Sequence, residues 1–549
     1  MTGTAAVSPA SEDRTPLGRG RRPPVALARL SARLVRRGTV VLALAVAVYA
    51  AVEVFSYLGT YPDAASRARL AALQDNPALR MLQGIPHAID TPGGFVVWDG
   101  GWVLASIVGI WALLTTGRLL RGEEESQRAE LVLASPLRVG RAVLVQLLVL
   151  AGAIAFVGAA VAVVLAAAGT GAGGSVLFGL AVVGFAATFA GVAAITAQVF
   201  EVRRRATGAA AAVFGLTFLV RMLANSNDAR GWARWLTPFG WMDELHPYRE
   251  PRWQALAALL VVPVLLGAAA VRLRRARDTG GALLAERDRR PARARLLGGP
   301  TAFAWRSTQG ALIGWVIGVA AYAFVIGVTL RTVTDLITSD PNYRRVLQTL
   351  GWDAARATEG YLGIMATLIG LFLALYACWR VGAARAEEAA GRLDNTLARP
   401  VPRHRWLAGH LLLTVAAAVL IAVAAALALW TGATIGGTEV GITDTLGSVM
   451  NTLPVVVLIT GVAVLLYGAR PRLTITASVA VAVTAYLVQL IGPALHWPGW
   501  VLDTSPFHHL AAVPAEPFAP VSGTVMSGLG LALMAAGVAA FARRDLSGD

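Results

Sequence analysis

The side chains best suited to acid-base or ionic chemistry are concentrated in one charged stretch, which occurs twice in the chain. The first charged loop covers residues 121–141 and the second charged loop covers residues 385–405. The two copies align without a gap at an offset of 264 residues, so the chain contains an internal repeat. The acids and arginines singled out as candidate site residues are Glu123, Glu124, Arg128 and Glu130 in the first copy and Glu387, Glu388, Arg392 and Asp394 in the second.

The spacing of these charges favours a short, stiff helix rather than a reaction centre. Glu124 and Arg128 are separated by four residues, as are Glu388 and Arg392. On a helix this spacing places an acid and a base on one face, where they form an ion pair. We therefore predict one such pair in each loop, with the remaining charges exposed to a partner.

Other chemistry is poorly represented. The seven histidines and the single cysteine have no metal-ligand spacing, and His410 reads as a packing residue. All 48 basic residues are arginine, whereas a phosphate-binding loop of the G-x-x-x-x-G-K-[ST] type requires a lysine. No nucleophile lies in a recognisable pattern with a base. We expect a chain that is not an enzyme and that holds no catalytic residue, cofactor or metal.

The elements that carry the loops are membrane helices. Hydrophobic residues make up 56% of the chain, only 15% are charged, and the mean hydropathy is +0.61. Crossing the bilayer takes about 20 apolar residues, and twelve continuous runs of that kind are present, six in each half. The sequence predicts an all-α polytopic membrane protein with about twelve transmembrane helices, arranged as two parallel six-helix repeats that form a pseudo-dimer.

The predicted segments divide the chain into four parts. Residues 1–23 form a basic, disordered tail, 24–271 the first six-span half, 272–299 an arginine-rich solvated linker, and 300–549 the second half. Most arginines fall on the side of the N-terminus, which predicts a plasma-membrane protein with both termini in the cytoplasm. The basic charge is explained by topology and lipid contact, so no nucleic-acid partner is expected.

Three polar residues near the spans are candidates for the translocation path: Glu53, Arg221 and Gln489. Arg221 and Gln489 occupy equivalent positions in the two halves, at an offset of 268 residues. They could line an outward cavity or form a pair, and Arg221 could instead extend to the outer interface. We also predict amphipathic interfacial helices at residues 24–37 and 300–309, before the first and seventh spans.

The stretch Gly-Glu-Glu-Glu-x-x-Arg-x-Glu-Leu-x-Leu-Ala-x-Pro-Leu at residues 122–137 carries a family resemblance, together with its second copy and the Thr/Ser-Pro-Phe segments at 237–239 and 505–507. With the closing Arg543-Arg544-Asp545-Leu546, it resembles type-2 ABC exporter permeases. The closest resemblance is to the fused two-half form, the actinobacterial antibiotic or multidrug exporter permeases of the tetronasin-resistance kind. The second copy departs from the pattern, with Asp394-Asn395-Thr396 in place of Glu-Leu-Val.

The resemblance implies a permease subunit that moves hydrophobic or amphipathic compounds out of the cell. A separate ATP-binding subunit, in two copies, would bind ATP and magnesium, and each charged loop would be a coupling helix seated on one copy. The substrate is a small hydrophobic compound that the sequence does not identify, and drug and lipid export stay open. The alternative is an ion-gradient-driven secondary transporter, which needs titratable groups near the bilayer midplane.

Overall fold

The computed structural model describes residues 23–71, 80–81, 83–127, 130, 137–226, 228–278, 281–284, 299–339, 357–398, 400–493 and 497–546. All named elements in these ranges are helices, and twelve of them are long and apolar enough to cross a membrane. The chain divides into two compact units, residues 1–289 and 290–549, and each contains six of these candidate spans. The prediction of an all-helical polytopic membrane protein is confirmed.

The described residues of the first unit form nine α-helices of eight residues or more. They are α1 (Pro23–Thr60), α2 (Ala64–Ala71), α3 (Pro92–Asp99), α4 (Gly101–Gly117), α5 (Val139–Ala167), α6 (Ala172–Val199), α7 (Arg203–Asn225), α8 (Pro238–Leu245) and α9 (Trp253–Arg275). A π-helical turn at Arg118–Gly122 and a single helical turn at Glu123–Glu125 extend α4 into the first charged loop. A 3₁₀ helix at Asp228–Leu236 precedes α8.

The second unit follows the same plan. Its helices are α10 (Pro300–Ser339), α11 (Ala357–Ala389), α12 (Arg392–Leu397), α13 (Arg403–Ile435), α14 (Ile442–Met450), α15 (Leu453–Ala469), α16 (Thr474–Ile491), α17 (Gly499–Leu502) and α18 (Pro520–Arg543). The second charged loop therefore joins α11 to α13, as the first joins α4 to α5.

The interfacial helices predicted at 24–37 and 300–309 are not separate elements. Each is the beginning of a continuous helix, α1 with 38 residues and α10 with 40. At 1.5 Å per residue, α1 is about 57 Å long, roughly twice the ~30 Å hydrocarbon thickness. A buried stripe of Leu27, Ser31, Val35 and Thr39 continues into the spanning part, because the same face packs on α5 throughout.

The core of the first unit forms around α6, which is the most buried of its spans. Phe185 of α6 packs against Phe239 of α8 with ring centroids 4.7 Å apart, and Phe189 packs against Phe214 of α7 at 4.6 Å. Thr237 caps α8 because its hydroxyl accepts a hydrogen bond from the backbone N–H of Gly240 at 2.9 Å. The segment between the fifth and sixth spans, which we call the outer segment after its predicted side of the membrane, thus contains a buried helix that packs on α6.

The linker between the halves is only partly the solvated connector that the sequence predicts. Helix α9 continues to Arg275, and the backbone N–H groups of Leu283 and Leu284 donate to the carbonyls of Gln198 and Val199 at the end of α6. The start of the linker is therefore docked on the first unit. Residues 279–280 and 285–298 lie outside the described residues.

Candidate functional site

In the first charged loop, the carboxylate of Glu124 faces the protein interior. It lies 2.6 Å from Nη1 of Arg121 and 3.2 Å from Nε of Arg274, and Nη2 of Arg277 donates to both of its oxygens at 2.9 Å. Its predicted partner Arg128 lies outside the described residues. Glu124 is therefore bound by arginines from its own helix and from the end of α9.

The other acids of this loop are more accessible. Glu123 lines a cleft of about 50 Å³ with Leu27, Leu30 and Leu34 of α1, so the amphipathic beginning of α1 borders the loop. Glu125 is exposed, although its carboxylate accepts a hydrogen bond from the backbone N–H of Arg203. Glu130 is also exposed.

In the second charged loop, the predicted pairing of Glu388 with Arg392 is wrong. Helix α11 ends at Ala389, and Gly391 adopts a left-handed φ of +67°, so the two residues do not share a continuous helix. Glu388 instead accepts hydrogen bonds from Nη1 and Nη2 of Arg544 at 2.6 and 2.7 Å. Arg392 and Asp394 are exposed on the short helix α12, and Glu387 is half-buried in the last turn of α11.

Arg221, one of the candidates for the translocation path, is fully buried in an ion pair. Its Nε and Nη2 bond the two carboxylate oxygens of Asp243 on α8 at 2.8 and 2.9 Å, and Nη2 also donates to the carbonyl of Gln83. Because Arg221 is buried in this pair, it does not extend to the interface, and its partner is Asp243 and not Glu53 or Gln489, the other two candidates. The partner was not identified from the sequence because Asp243 belongs to a different element.

Gln489 makes the corresponding contact in the second half. Its Oε1 lies 3.0 Å from Nδ1 of His508, in the outer segment that contains the buried Phe507. In both halves, the residue at this position of the fifth span therefore holds the outer segment of its own half. The first half uses an ion pair, whereas the second uses a single hydrogen bond.

Glu53, near the C-terminal end of α1, lies beside a second carboxyl group. Gln83 donates to Asp99 at 2.7 Å, and Glu53 interacts directly with the Asp99 carboxyl. Burial, followed by the Glu53 carboxylate, raises the pKa of Asp99 to about 7. The pair could hold a proton near neutral pH.

Two apolar grooves open within the separate units. One in the first unit, of about 380 Å³, lies between α5, α6 and α9. One in the second unit, of about 560 Å³, lies between α10 and α11 and is lined by aromatic residues that include Trp315, Tyr322, Phe372 and Trp379. Volumes in this range match those of small-molecule sites.

The next feature is the arrangement of possible metal ligands in the part of the chain that the structure describes. No three His, Cys, Asp or Glu side chains there are close enough together to hold a metal ion. His410 is buried, with Nδ1 3.5 Å from Nη2 of Arg380 and its ring packed against Trp406. This environment fits the packing role that the sequence favours for His410.

Comparison with known proteins identifies the family. The profile of the "Multidrug efflux system permease Rv1217c, C-terminal domain" family matches residues 24–275 and 297–542. The chain is also 32% identical over 504 residues to the multidrug efflux system permease protein Rv1217c of Mycobacterium tuberculosis (strain ATCC 25618 / H37Rv), covering 90% of each protein. This chain belongs to the Rv1217c multidrug efflux permease family. The resemblance to exporter permeases is confirmed, and the transport role is that of an efflux permease.

Within this efflux permease, the arginines that bind the two loop glutamates were missed by sequence reasoning. Arg277 and Arg544 lie just beyond the segments that the family profile matches. A signal was present, because Arg277-Asp278 and Arg544-Asp545 recur at an offset of 267 residues, close to the 264 of the loops. Sequence spacing within a loop could not identify these arginines, since each lies about 150 residues from the glutamate that it binds.

Proposed function

We propose that this efflux permease is the membrane subunit of an ATP-driven exporter, powered by two copies of a separate ATP-binding subunit that carry the ATP and magnesium. This proposal rests mainly on the two charged loops, which occur at equivalent positions of the two halves. Each presents exposed charges at a helix end, Glu130 in the first and Arg392 and Asp394 in the second. The absence of lysine supports a separate ATPase, since this chain lacks the residue that a phosphate-binding loop requires.

The proposed mechanism transmits ATP-driven closure of the partner subunits through the two loops, which opens the permease outward. Both termini would lie in the cytoplasm, as the arginine asymmetry predicts. The cargo would be hydrophobic or amphipathic compounds. The two apolar grooves support that class, because nonpolar and aromatic walls favour nonpolar ligands.

Affinity purification of the tagged chain from its native membrane in gentle detergent tests this proposal. We expect an ATP-binding subunit to co-purify with the unmodified chain and to be lost from a variant carrying Glu130→Arg, Arg392→Glu and Asp394→Arg. Arg272→Glu is the matched control, because Arg272 is an exposed arginine at the end of α9 outside both loops. Retention of the same ATPase by the triple variant would remove the loops from the partner interface. Failure to recover any ATPase would leave the exporter without an energy source.

The alternative of a secondary transporter has one observation in its favour, the Glu53–Asp99 carboxyl pair, but this pair lies near the end of α1 and not near the midplane, where such a transporter needs its titratable groups. A proton shared near neutral pH could couple transport to a proton gradient. Ethidium efflux from proteoliposomes with an imposed pH gradient and no nucleotide separates the two functions. Efflux that requires the gradient and is lost in Asp99→Asn would support the alternative, whereas no efflux without ATP would exclude it.

A further inference from the structure

The two halves end in the same ion pair, although the residues around it differ. Arg277 follows the sixth span of the first half and binds both carboxylate oxygens of Glu124, and Arg544 follows the sixth span of the second half and binds both oxygens of Glu388. We call Arg277–Glu124 and Arg544–Glu388 the closing ion pairs. Each joins the end of its half to the charged loop between the second and third spans.

The closing ion pairs are shielded from water. The exposed fractions of the side chains are 4% for Arg277 and 8% for Glu124, and 16% for Arg544 and 2% for Glu388. Arg544 binds Glu388 through Nη1 and Nη2, a bidentate contact that fixes both distance and orientation, whereas Arg277 reaches both oxygens of Glu124 through Nη2 alone. In such buried positions, removing the arginine weakens the compensation of the glutamate charge. The contact therefore holds the loop in one place relative to the sixth span.

The two halves support this contact in different ways. In the first, Arg121 and Arg274 also bind Glu124, and Arg277 and Arg121 both donate to the carbonyl of Gly281. The start of the linker is thereby fixed to the loop. In the second half, the Arg544 guanidinium lies 5.3 Å from the ring centroid of Tyr467 and 5.2 Å from that of Phe541.

We propose that Arg277 and Arg544 are positioning residues that transmit displacement of each charged loop to the sixth span of its half. The loop is covalently joined only to the second and third spans. The closing ion pair adds a connection to the sixth span. Displacement of the loop by a bound ATPase therefore moves the second, third and sixth spans together. This inference rests on the proposed function, because it assigns the route by which the partner's motion enters the membrane.

The first test uses the complex purified with its co-purifying ATPase and reconstituted in proteoliposomes with ethidium as the probe. Arg277→Gln and Arg544→Gln are expected to retain the ATPase and its ATP hydrolysis. Ethidium moved per ATP should fall about tenfold in Arg544→Gln, within the usual range of coupling effects, and less in Arg277→Gln, because Arg121 and Arg274 still bind Glu124. Arg544→Lys should recover part of the loss, because it keeps the charge but not the bidentate geometry. Arg272→Gln and Arg543→Gln are matched controls, since both arginines are exposed near the same helix ends.

A cross-link separates positioning from a general effect on folding. In a Cys378→Ala background, Glu388→Cys and Arg544→Cys remove the closing ion pair, and a bifunctional maleimide then rejoins the two positions. We expect ethidium transport per ATP to be low before cross-linking and to rise after it. Normal coupling in the Gln variants, or no recovery on cross-linking, would overturn the inference. If the unmodified chain retains no ATPase, the proposed function fails first and this inference fails with it.

Discussion

Replacement of Asp243 by alanine is expected to release the outer segment of the first half. Arg221 is 1% exposed, and both of its bonds to Asp243 are shorter than 3.0 Å. Asn225 also donates to Asp243 at 3.0 Å, so the substitution leaves two buried donors without their acceptor. Loss of one partner from a buried ion pair costs about 3–5 kcal/mol. We expect local unfolding of α8 rather than loss of the whole half, because α6 and α9 retain their own packing.

Hydrogen exchange in lipid nanodiscs measures this effect at the peptide level. Amides of α8, Pro238–Leu245, should exchange faster in Asp243→Ala, while amides of α5 and α6 keep their protection. The double variant Arg221→Met/Asp243→Leu should recover most of the protection, since replacing both charges removes the uncompensated one. Unchanged protection of α8 in Asp243→Ala would refute the reasoning.

The second half offers a matched comparison for the same position. Gln489 contacts His508 through a single hydrogen bond at 3.0 Å, and His508 is about a third exposed. Gln489→Leu should therefore cost only about 0.5–1.5 kcal/mol, the usual contribution of one hydrogen bond. A larger effect in the second half than in the first would show that charge burial does not set the difference.

Two further substitutions test the outer segment and the helix packing. The rings of His87 and His246 pack with their centroids 3.5 Å apart. Burial is the main cause that lowers the pKa of His87 to about 4. His246, Arg252 and Arg234 lower this pKa further, and Asp243 opposes them. In the unfolded chain His87 binds a proton near pH 6.5, so the stability present above that pH should be lost as the pH falls toward 4. The thermal midpoint should therefore decline over this pH range, and His87→Gln should make the decline smaller. Gly537→Ala places a Cβ 2.5 Å from the carbonyl oxygen of Val464 and should lower the stability of the second half by about 1–3 kcal/mol in thermal unfolding. Gly528→Ala on the same helix has open space around it and should raise the stability by up to about 1 kcal/mol, the usual gain of alanine over glycine in a helix.

The spans were predictable because membrane insertion leaves a strong signal in each apolar run. The boundaries between helices were harder to predict from the sequence. The sequence Arg37-Gly38-Thr39 was read as the boundary between an interfacial helix and the first span, yet α1 passes through it. One glycine costs a helix only about 1 kcal/mol, which packing of the continuous stripe on α5 exceeds.

The positions of the charged loops in the chain were predictable, whereas their contacts were not. Sequence reasoning placed Glu388 in one loop but predicted a partner four residues away, and the observed partner is 156 residues away. Local spacing rules assume a continuous helix, and Gly391 interrupts this one. The repeat carried more information than the spacing, because Arg277 and Arg544 stand at equivalent positions.

The comparison of the two loops leads to a last prediction. In both halves a loop glutamate meets an arginine that follows the sixth span, although Arg121 and Arg274 also bind Glu124 in the first half. Their outward sequences differ, with Asp394-Asn395-Thr396 in place of Glu130-Leu131-Val132. If the inward contact transmits force and the outward surface binds the ATPase, variants of the two surfaces should have unequal effects on partner retention. Arg277→Gln and Arg544→Gln should both reduce transport per ATP, with the smaller loss in Arg277→Gln because Arg121 and Arg274 still bind Glu124. Quantifying retained ATPase for Glu130→Arg against Asp394→Arg, with ethidium transport measured in the two Gln variants, tests both statements. Loss of the ATPase from the Gln variants, or unchanged transport per ATP in Arg544→Gln, would contradict this assignment of inner and outer roles.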